Sequence, residues 1–200
     1  MIGVAREGGL LVVTLQRPDK ANALSKAMLS ALLAALEHPP QVLILTGAGR
    51  VFSAGADLDE ARAGLATDPI WDAVSNRIAS LPGLTIAALN GTLAGGAMGM
   101  ALACDLRLGV PGAKFFYPVM RLGYLPQPAD PARLVALVGP ARAKLILMAG
   151  AKIEAEEALA WGLIDRIVAP EDLLPTARGL AADVLAAQPG HAAAIKRLIG

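Results

Sequence analysis

The hydrophobic and polar positions of this chain alternate between short apolar runs and stretches of helical spacing. Leu10–Leu15 is a β-prone run closed by Arg17-Pro18-Asp19, where proline removes a ladder donor. Ser25–Glu37 carries Leu29, Leu32, Leu33 and Leu36 on one helical face, with Ser25 at the N-cap position and Pro39-Pro40 as the stop. Val42–Thr46 and Ile86–Leu89 are continuous apolar runs, the pattern of strands buried on both faces. Leu106–Val110 and Lys114–Tyr117 predict two further strands around Pro111-Gly112. From Asp130 onward the spacing is helical, interrupted at Gly139-Pro140, Gly150 and Gly162, and it closes with helices over Asp172–Ala187 and His191–Ile199. Strands alternating with helices predict an α/β fold in which helices cover a sheet. No linker, low-complexity segment or clean short repeat divides the chain, so a single domain is expected. Its core spans 1–170 and a short helical region follows over 171–200.

One stretch invites a different reading. Leu84–Cys104 is nearly uncharged and about long enough to span a bilayer. Asn90 and Gly91 break it midway, and Gly95, Gly96 and Gly99 crowd its second half, which fits a buried strand, a turn and a buried helix better. No membrane association is expected.

Composition narrows the function. A formal net charge of +1, with Lys and Arg scattered, provides no basic stripe for nucleic acid. Hydrophobic residues make up 55% of the chain, much of it Ala, with 21 Gly, which suits helices packed tightly on a buried sheet. The lone Cys104 lies in an apolar run, reads as inert core and fits a reducing compartment. Met1–Gly9 lacks the basic-then-apolar layout of a signal peptide, so a cytoplasmic location is expected.

Candidate chemistry sits in two segments, Val42–Asp57 and Ile86–Met98, which repeat one device: a buried strand, a Gly-containing turn and a helix start. Glycine lets a ligand approach the backbone closely, and a helix start presents unpaired N–H groups with a favourable dipole. Two such N–H groups converging on one point form an oxyanion hole, in which each donor contributes about 2.7–4 kcal/mol.

Specific motifs run along the same segments. They are Arg17-Pro18 with Asn22-Ala23-Leu24, Phe52-Ser53-Ala54-Gly55-Ala56-Asp57-Leu58, and Ala87-Ala88-Leu89-Asn90-Gly91 followed by Gly95-Gly96. Ala103-Cys104-Asp105 and the stretch Lys152–Val168 follow in order. Together, from about residue 10 to residue 170, they resemble the crotonase (enoyl-CoA hydratase/isomerase) family. The resemblance implies a stack of ββα units, assembly as a homotrimer or dimer of trimers, and an acyl-CoA thioester as partner. It implies oxyanion-hole donors at the backbone N–H groups of Ala56 and Gly96. The coenzyme A site would lie along Lys20, Ala21, Ala23 and Leu24 and along Ser53, Ala54, Asp57 and Leu58. No metal, and no cofactor beyond the CoA moiety, is expected.

The chain departs from that pattern where protons are handled. Hydratases of the family use two glutamates, and the matching positions here are Gly99 and Val119. A position where other members place an acid is Gln127. Nearby in sequence are Tyr117, Tyr124, Asp130, Glu60 and Arg62. Asp130 is the nearest carboxylate and, with Tyr124, the candidate for proton transfer. Yet Asp130-Pro131 also has the form of a helix cap with proline at N1, and capping is the favoured expectation for Asp130. Tyr117 and Tyr124 are expected either to hydrogen-bond an acyl group or to form an aromatic wall.

Asp57 and Asp105 read as capping or anchoring residues. Ser53-Ala54-Gly55 is not a nucleophile elbow, and His38 and His191 read as helix-terminal surface residues, so a serine triad is disfavoured. The family also commonly carries a longer helical tail, so ligand cover here is expected to come from a neighbouring subunit or to be partial. Three functions stay open: an acyl-CoA hydratase/isomerase, a non-catalytic acyl-CoA-binding paralogue and, least favoured, a thioester hydrolase.

Overall fold

The computed structural model describes residues 1–199. It opens with an antiparallel pair, β1 (Ile2–Glu7) and β2 (Leu10–Leu15). β1 is an edge strand whose Val4–Glu7 face solvent, which is why no apolar pattern announced it. Helix α1 (Lys26–Ala35) follows the predicted start: Ser25 Oγ accepts the Met28 N–H at 3.2 Å, and Leu29, Leu32 and Leu36 are buried.

Three strand–strand–helix units then succeed one another. The first is β3 (Val42–Gly47), β4 (Val51–Ser53) and α2 (Leu58–Arg62), and it is followed by an inserted helix, α3 (Ile70–Ala79). The second is β5 (Leu84–Leu89), β6 (Thr92–Ala94) and α4 (Met98–Leu102), with a 3-10 turn at Gly95–Ala97. The third is β7 (Leu106–Gly109), β8 (Lys114–Phe116) and α5 (Val119–Leu122). After them come α6 (Asp130–Leu147), β9 (Ile153–Glu154), α7 (Ala155–Trp161), β10 (Arg166–Ile167), α8 (Leu173–Ala186) and α9 (His191–Ile199). Gly139, at φ 79°, kinks α6 where the sequence places its break.

Each unit sends its first strand to one sheet and its second to another. The six-stranded sheet runs β1-β2-β3-β5-β7-β10, and the four-stranded sheet runs β4-β6-β8-β9. From β2 to β10 the large sheet is parallel, so its central strands are covered on both faces and read as unbroken apolar runs. The repeat showed in the sequence as a strand–turn–helix device over Val42–Asp57 and Ile86–Met98, while the three-residue second strands β4 and β6 inside those segments carried no pattern of their own.

Buried and half-buried polar groups fix the joints. Asp105 Oδ2 accepts the Thr85 N–H and Oγ1–H at 2.8 and 3.0 Å and the Lys196 ammonium at 2.8 Å, which anchors α9 to the sheet. Arg107, 4% exposed, donates to the carbonyls of Cys104 and Leu163 at 2.6 and 3.0 Å and so ties the end of α4 to the turn before β10. Cys104 is buried, and desolvation pushes its thiol up to about 12, so it packs as core. Leu84–Cys104 folds into β5, β6 and α4, and among the described residues no helix is long and apolar enough to cross a membrane.

Candidate active site

Two loops, one from each of the first two units, form the site, and a turn before α1 braces the first of them. In that turn Ala21 and Asn22 both adopt positive φ, 49° and 52°, a region that Asn tolerates better than most residues. The fully buried Asn22 side chain accepts the Arg17 N–H at 2.8 Å and donates to the carbonyls of Ala48 and Val51 at 2.8 and 2.7 Å. The turn is then zipped to the loop after β4. Ala54 N–H donates to Ala21 O at 2.9 Å, Leu24 N–H to Gly55 O at 2.7 Å, and Asp57 N–H to Leu24 O at 2.9 Å.

That zipper passes over Ala56. Its neighbours are all paired, while the Ala56 N–H has no acceptor among the described residues. Asp57 locks the exit of the loop: it caps α2 by accepting from Asp59 N–H and Glu60 N–H at 3.1 and 3.3 Å, and it pairs with Arg17 at 2.8 Å. The hydrogen bond from Arg17, with those backbone donors, holds its carboxyl below the usual range. The capping and anchoring expected of Asp57 and Asp105 are what the structure shows.

The second loop is the 3-10 turn Gly95–Ala97. Gly96 lies within its first three residues, whose N–H groups have no acceptor inside the turn. A Cβ at Gly96 would meet the Trp71 ring at 3.2 Å, and a Cβ at Gly55 would meet Ala94 O at 3.0 Å and Gly95 Cα at 3.3 Å. The two loops therefore touch through glycine. Trp71 is itself pinned, its indole N–H donating to Leu65 O at 2.7 Å.

Ala56 and Gly96 both line an open cleft, whose walls are Trp71, Tyr117, Val119, Leu122 and Leu125 among others. Among the described residues, no carboxylate and no histidine lines it. Leu58 and Leu125, 71% and 87% exposed, stand at its mouth as apolar side chains open to solvent. A mostly apolar cleft with two free N–H groups can bind an acyl chain and receive a developing negative charge on its carbonyl oxygen.

Behind the cleft wall lies a buried carboxyl. The structure corrects the expectation that Asp130 caps α6: Ala129 occupies the cap position, and the Asp130 side chain makes no cap bond. Proline stands in the first turn as expected, though at N2 rather than N1, and the carboxyl turns inward. Asp130 is 1% exposed, accepts the Tyr117 hydroxyl at Oδ2 at 3.0 Å, and leaves Oδ1 without a partner among the described residues. Desolvation pushes this acid up to about 6, against the opposing pull of the Tyr117 hydroxyl and Arg133, with Asp72 adding a smaller push. Burial and the neighbouring Asp130 likewise hold the Tyr117 phenol above its ordinary value.

The other predicted residues scatter around this arrangement. Ala54, Ala56, Leu58, Gly96 and Tyr124 line the cleft, Tyr124 at its half-exposed rim. Lys20, Ala21 and Ala23 lie on the bracing turn outside it. Leu24 and Ser53 are fully buried, and the Ser53 hydroxyl is committed to Asn22 O at 2.8 Å and to Gly55 N–H at 3.1 Å. These two residues can offer a ligand backbone groups alone. His38 and His191 are exposed, outside the cleft. The sequence reading missed Trp71, although Trp71, Val74, Ser75 and Ile78 follow helical spacing and are all buried.

Comparison with known proteins gives this geometry its relatives. The family model described as enoyl-CoA hydratase/isomerase matches residues 5–199. The chain is 38% identical over 205 residues to a carnitinyl-CoA dehydratase of Salmonella arizonae, which covers 98% of this chain and 78% of that protein. Among solved structures, an enoyl-CoA hydratase from Bacillus anthracis superposes with a TM-score of 0.91 at 32% identity, covering 99% of this chain and 81% of that one. Pseudomonas aeruginosa DspI superposes with a TM-score of 0.90, also at 32% identity, covering 99% and 79%. A match over nearly the whole chain, carried by the same ββα units that hold the two loops, places this protein in the enoyl-CoA hydratase/isomerase (crotonase) family.

Proposed function

We propose that this protein binds an acyl-CoA thioester and stabilises negative charge on its carbonyl oxygen with the backbone N–H groups of Ala56 and Gly96, in chemistry of the hydratase/isomerase type. The observation that carries the reading is the pair of unpaired N–H groups on two touching loops at one apolar cleft. Relatives named for enoyl-CoA and carnitinyl-CoA support the substrate class. Both donors belong to the backbone of braced loops, so they need no reorganisation as charge develops, and each contributes about 2.7–4 kcal/mol to an enolate-like transition state. The coenzyme A moiety is assigned to the turn Lys20–Leu24 and the loop Ser53–Leu58. Assembly as a homotrimer or dimer of trimers belongs to the same reading.

Calorimetry with CoA and a panel of acyl-CoAs tests the binding half; no affinity at millimolar concentration would sink it. Turnover of crotonyl-CoA, a 3-enoyl-CoA and a malonyl-type thioester tests the catalytic half. A second reading, a non-catalytic acyl-CoA-binding protein, is favoured by Gly99 and Val119, since no carboxylate lines the cleft. Binding of acyl-CoA with no turnover above buffer would establish it.

A further inference from the structure

The cleft lacks an ionisable carboxyl or imidazole, yet one of its wall residues leads to a carboxyl directly. Tyr117 lines the cleft, and its hydroxyl lies 3.0 Å from Asp130 Oδ2. The Gln127 N–H donates to the same hydroxyl oxygen at 3.3 Å, which fixes its direction. Asp130 Oδ1 has no partner among the described residues, although burying a carboxylate oxygen unpaired is costly. The space it fills is made by a missing side chain: a Cβ at Gly99 would lie 2.6 Å from Oδ1 and 3.2 Å from Cγ. Glycine at 99, three residues beyond Gly96, therefore admits the carboxyl of another helix. A fold that only needed α6 to start would place Asp130 toward solvent as a cap; here the acid is held dry against the phenol.

We infer that Tyr117 and Asp130 form a proton relay for acyl-CoA bound in the cleft, with Tyr117 exchanging the proton with the substrate and Asp130 storing it. This rests on the acyl-CoA reading above and narrows its reaction to a shift of one proton on a β,γ-unsaturated acyl-CoA. In the forward step the α C–H bond breaks and its proton forms a bond to Tyr117 Oη. The proton already on Oη passes to Asp130 Oδ2, and the electron pair moves into a dienolate whose oxygen faces the N–H groups of Ala56 and Gly96. In the return step Oη gives a proton to the γ carbon and recovers one from Asp130, leaving the α,β-unsaturated thioester and the dyad unchanged. Nothing is oxidised and no co-reactant is consumed. Adding water would require a second acid–base group to activate it, and among the described residues the cleft wall supplies no carboxyl or imidazole for that.

The test uses the intact protein with 3-hexenoyl-CoA as substrate and hexanoyl-CoA as binding probe. Wild type should convert 3-hexenoyl-CoA to 2-hexenoyl-CoA, with kcat rising as pH passes through about 6 and then levelling. The charged groups bearing on that inflection are Asp72 on α3 and Arg133 on α6. Tyr117→Phe and Asp130→Asn should each lower kcat by about 10²-fold or more while the dissociation constant of hexanoyl-CoA changes less than about threefold. Residual turnover of the Asp130→Asn variant should lose the inflection, which a purely structural role for Asp130 would not produce. Both substitutions are nearly isosteric, and circular dichroism checks that the variants fold. Hexanoyl-CoA binding without conversion above buffer overturns the relay alone, as does unchanged kcat in both variants. Absence of binding overturns the acyl-CoA reading and the relay with it.

Discussion

At the scale of single residues, Asp130 sets two demands against each other. Burial raises its folded-state carboxyl to about 6 from an ordinary 3.8, so the native state holds its proton more tightly than the unfolded chain does. Between those values folding takes up a proton, and stability from this group falls as pH rises through about 6. At pH 8 the ionised carboxyl costs on the order of 3 kcal/mol, an upper figure for a shift of this size. Asp130→Asn is therefore expected to melt above wild type at pH 8 and to lose that advantage at pH 4. Thermal unfolding of both proteins across this range checks it; a difference independent of pH contradicts the desolvation account. The sequence could not show which way this carboxyl turns. Asp130-Pro131 correctly marks a helix start, but the cap or inward choice depends on Ala129 taking the cap position and on the space at Gly99. Neither is a local property of the two residues.

At the scale of elements, the site depends on how the bracing turn and the two loops hold each other. The buried Asn22 side chain makes three hydrogen bonds from a backbone conformation at φ 52°. Asn22→Ala leaves the Arg17 N–H and the carbonyls of Ala48 and Val51 without that partner, and a cost of about 2–4 kcal/mol in urea unfolding is expected. A loss below about 0.5 kcal/mol would mean that the turn is not held by this side chain. The second loop is more sensitive still. Gly96→Ala forces a Cβ to 3.2 Å from the Trp71 ring, which its bond to Leu65 O keeps from yielding. The N–H of residue 96 must shift by a few tenths of an ångström, so affinity for acyl-CoA should fall about tenfold while affinity for CoA alone stays within about twofold. Parallel calorimetric titrations distinguish the two ligands, and equal losses for both would contradict a carbonyl contact at this position. The longer elements were legible because α1 carries a clear helical period and the central strands are unbroken apolar runs between turn residues. The strands β4 and β6, three residues each, were not, since so short a run has no measurable period and forms only against its parallel neighbours; β8, equally short, was marked as Lys114–Tyr117 beside Pro111-Gly112.

At the scale of the whole molecule, three ββα units give the same small geometry twice at one place. The first strands build a parallel sheet with a dry interior, the second strands carry the chain to a smaller sheet, and the glycine turns between strand and helix arrive side by side. Family and fold were readable from motif order, because the glycine turns and the buried strands must recur at fixed distances for the units to stack. Proton handling was not readable, because its two groups, Tyr117 after β8 and Asp130 at the start of α6, come together only through the packing of α6 on α4.

The central claim is that two backbone N–H groups polarise a thioester carbonyl, and the carbonyl itself reports on it. Infrared difference spectroscopy of an acyl-CoA labelled with ¹³C at the thioester carbon should show its stretching band move to lower wavenumber on binding, with a smaller shift in the Gly96→Ala variant. A bound acyl-CoA whose carbonyl band stays at its position in water would contradict the account.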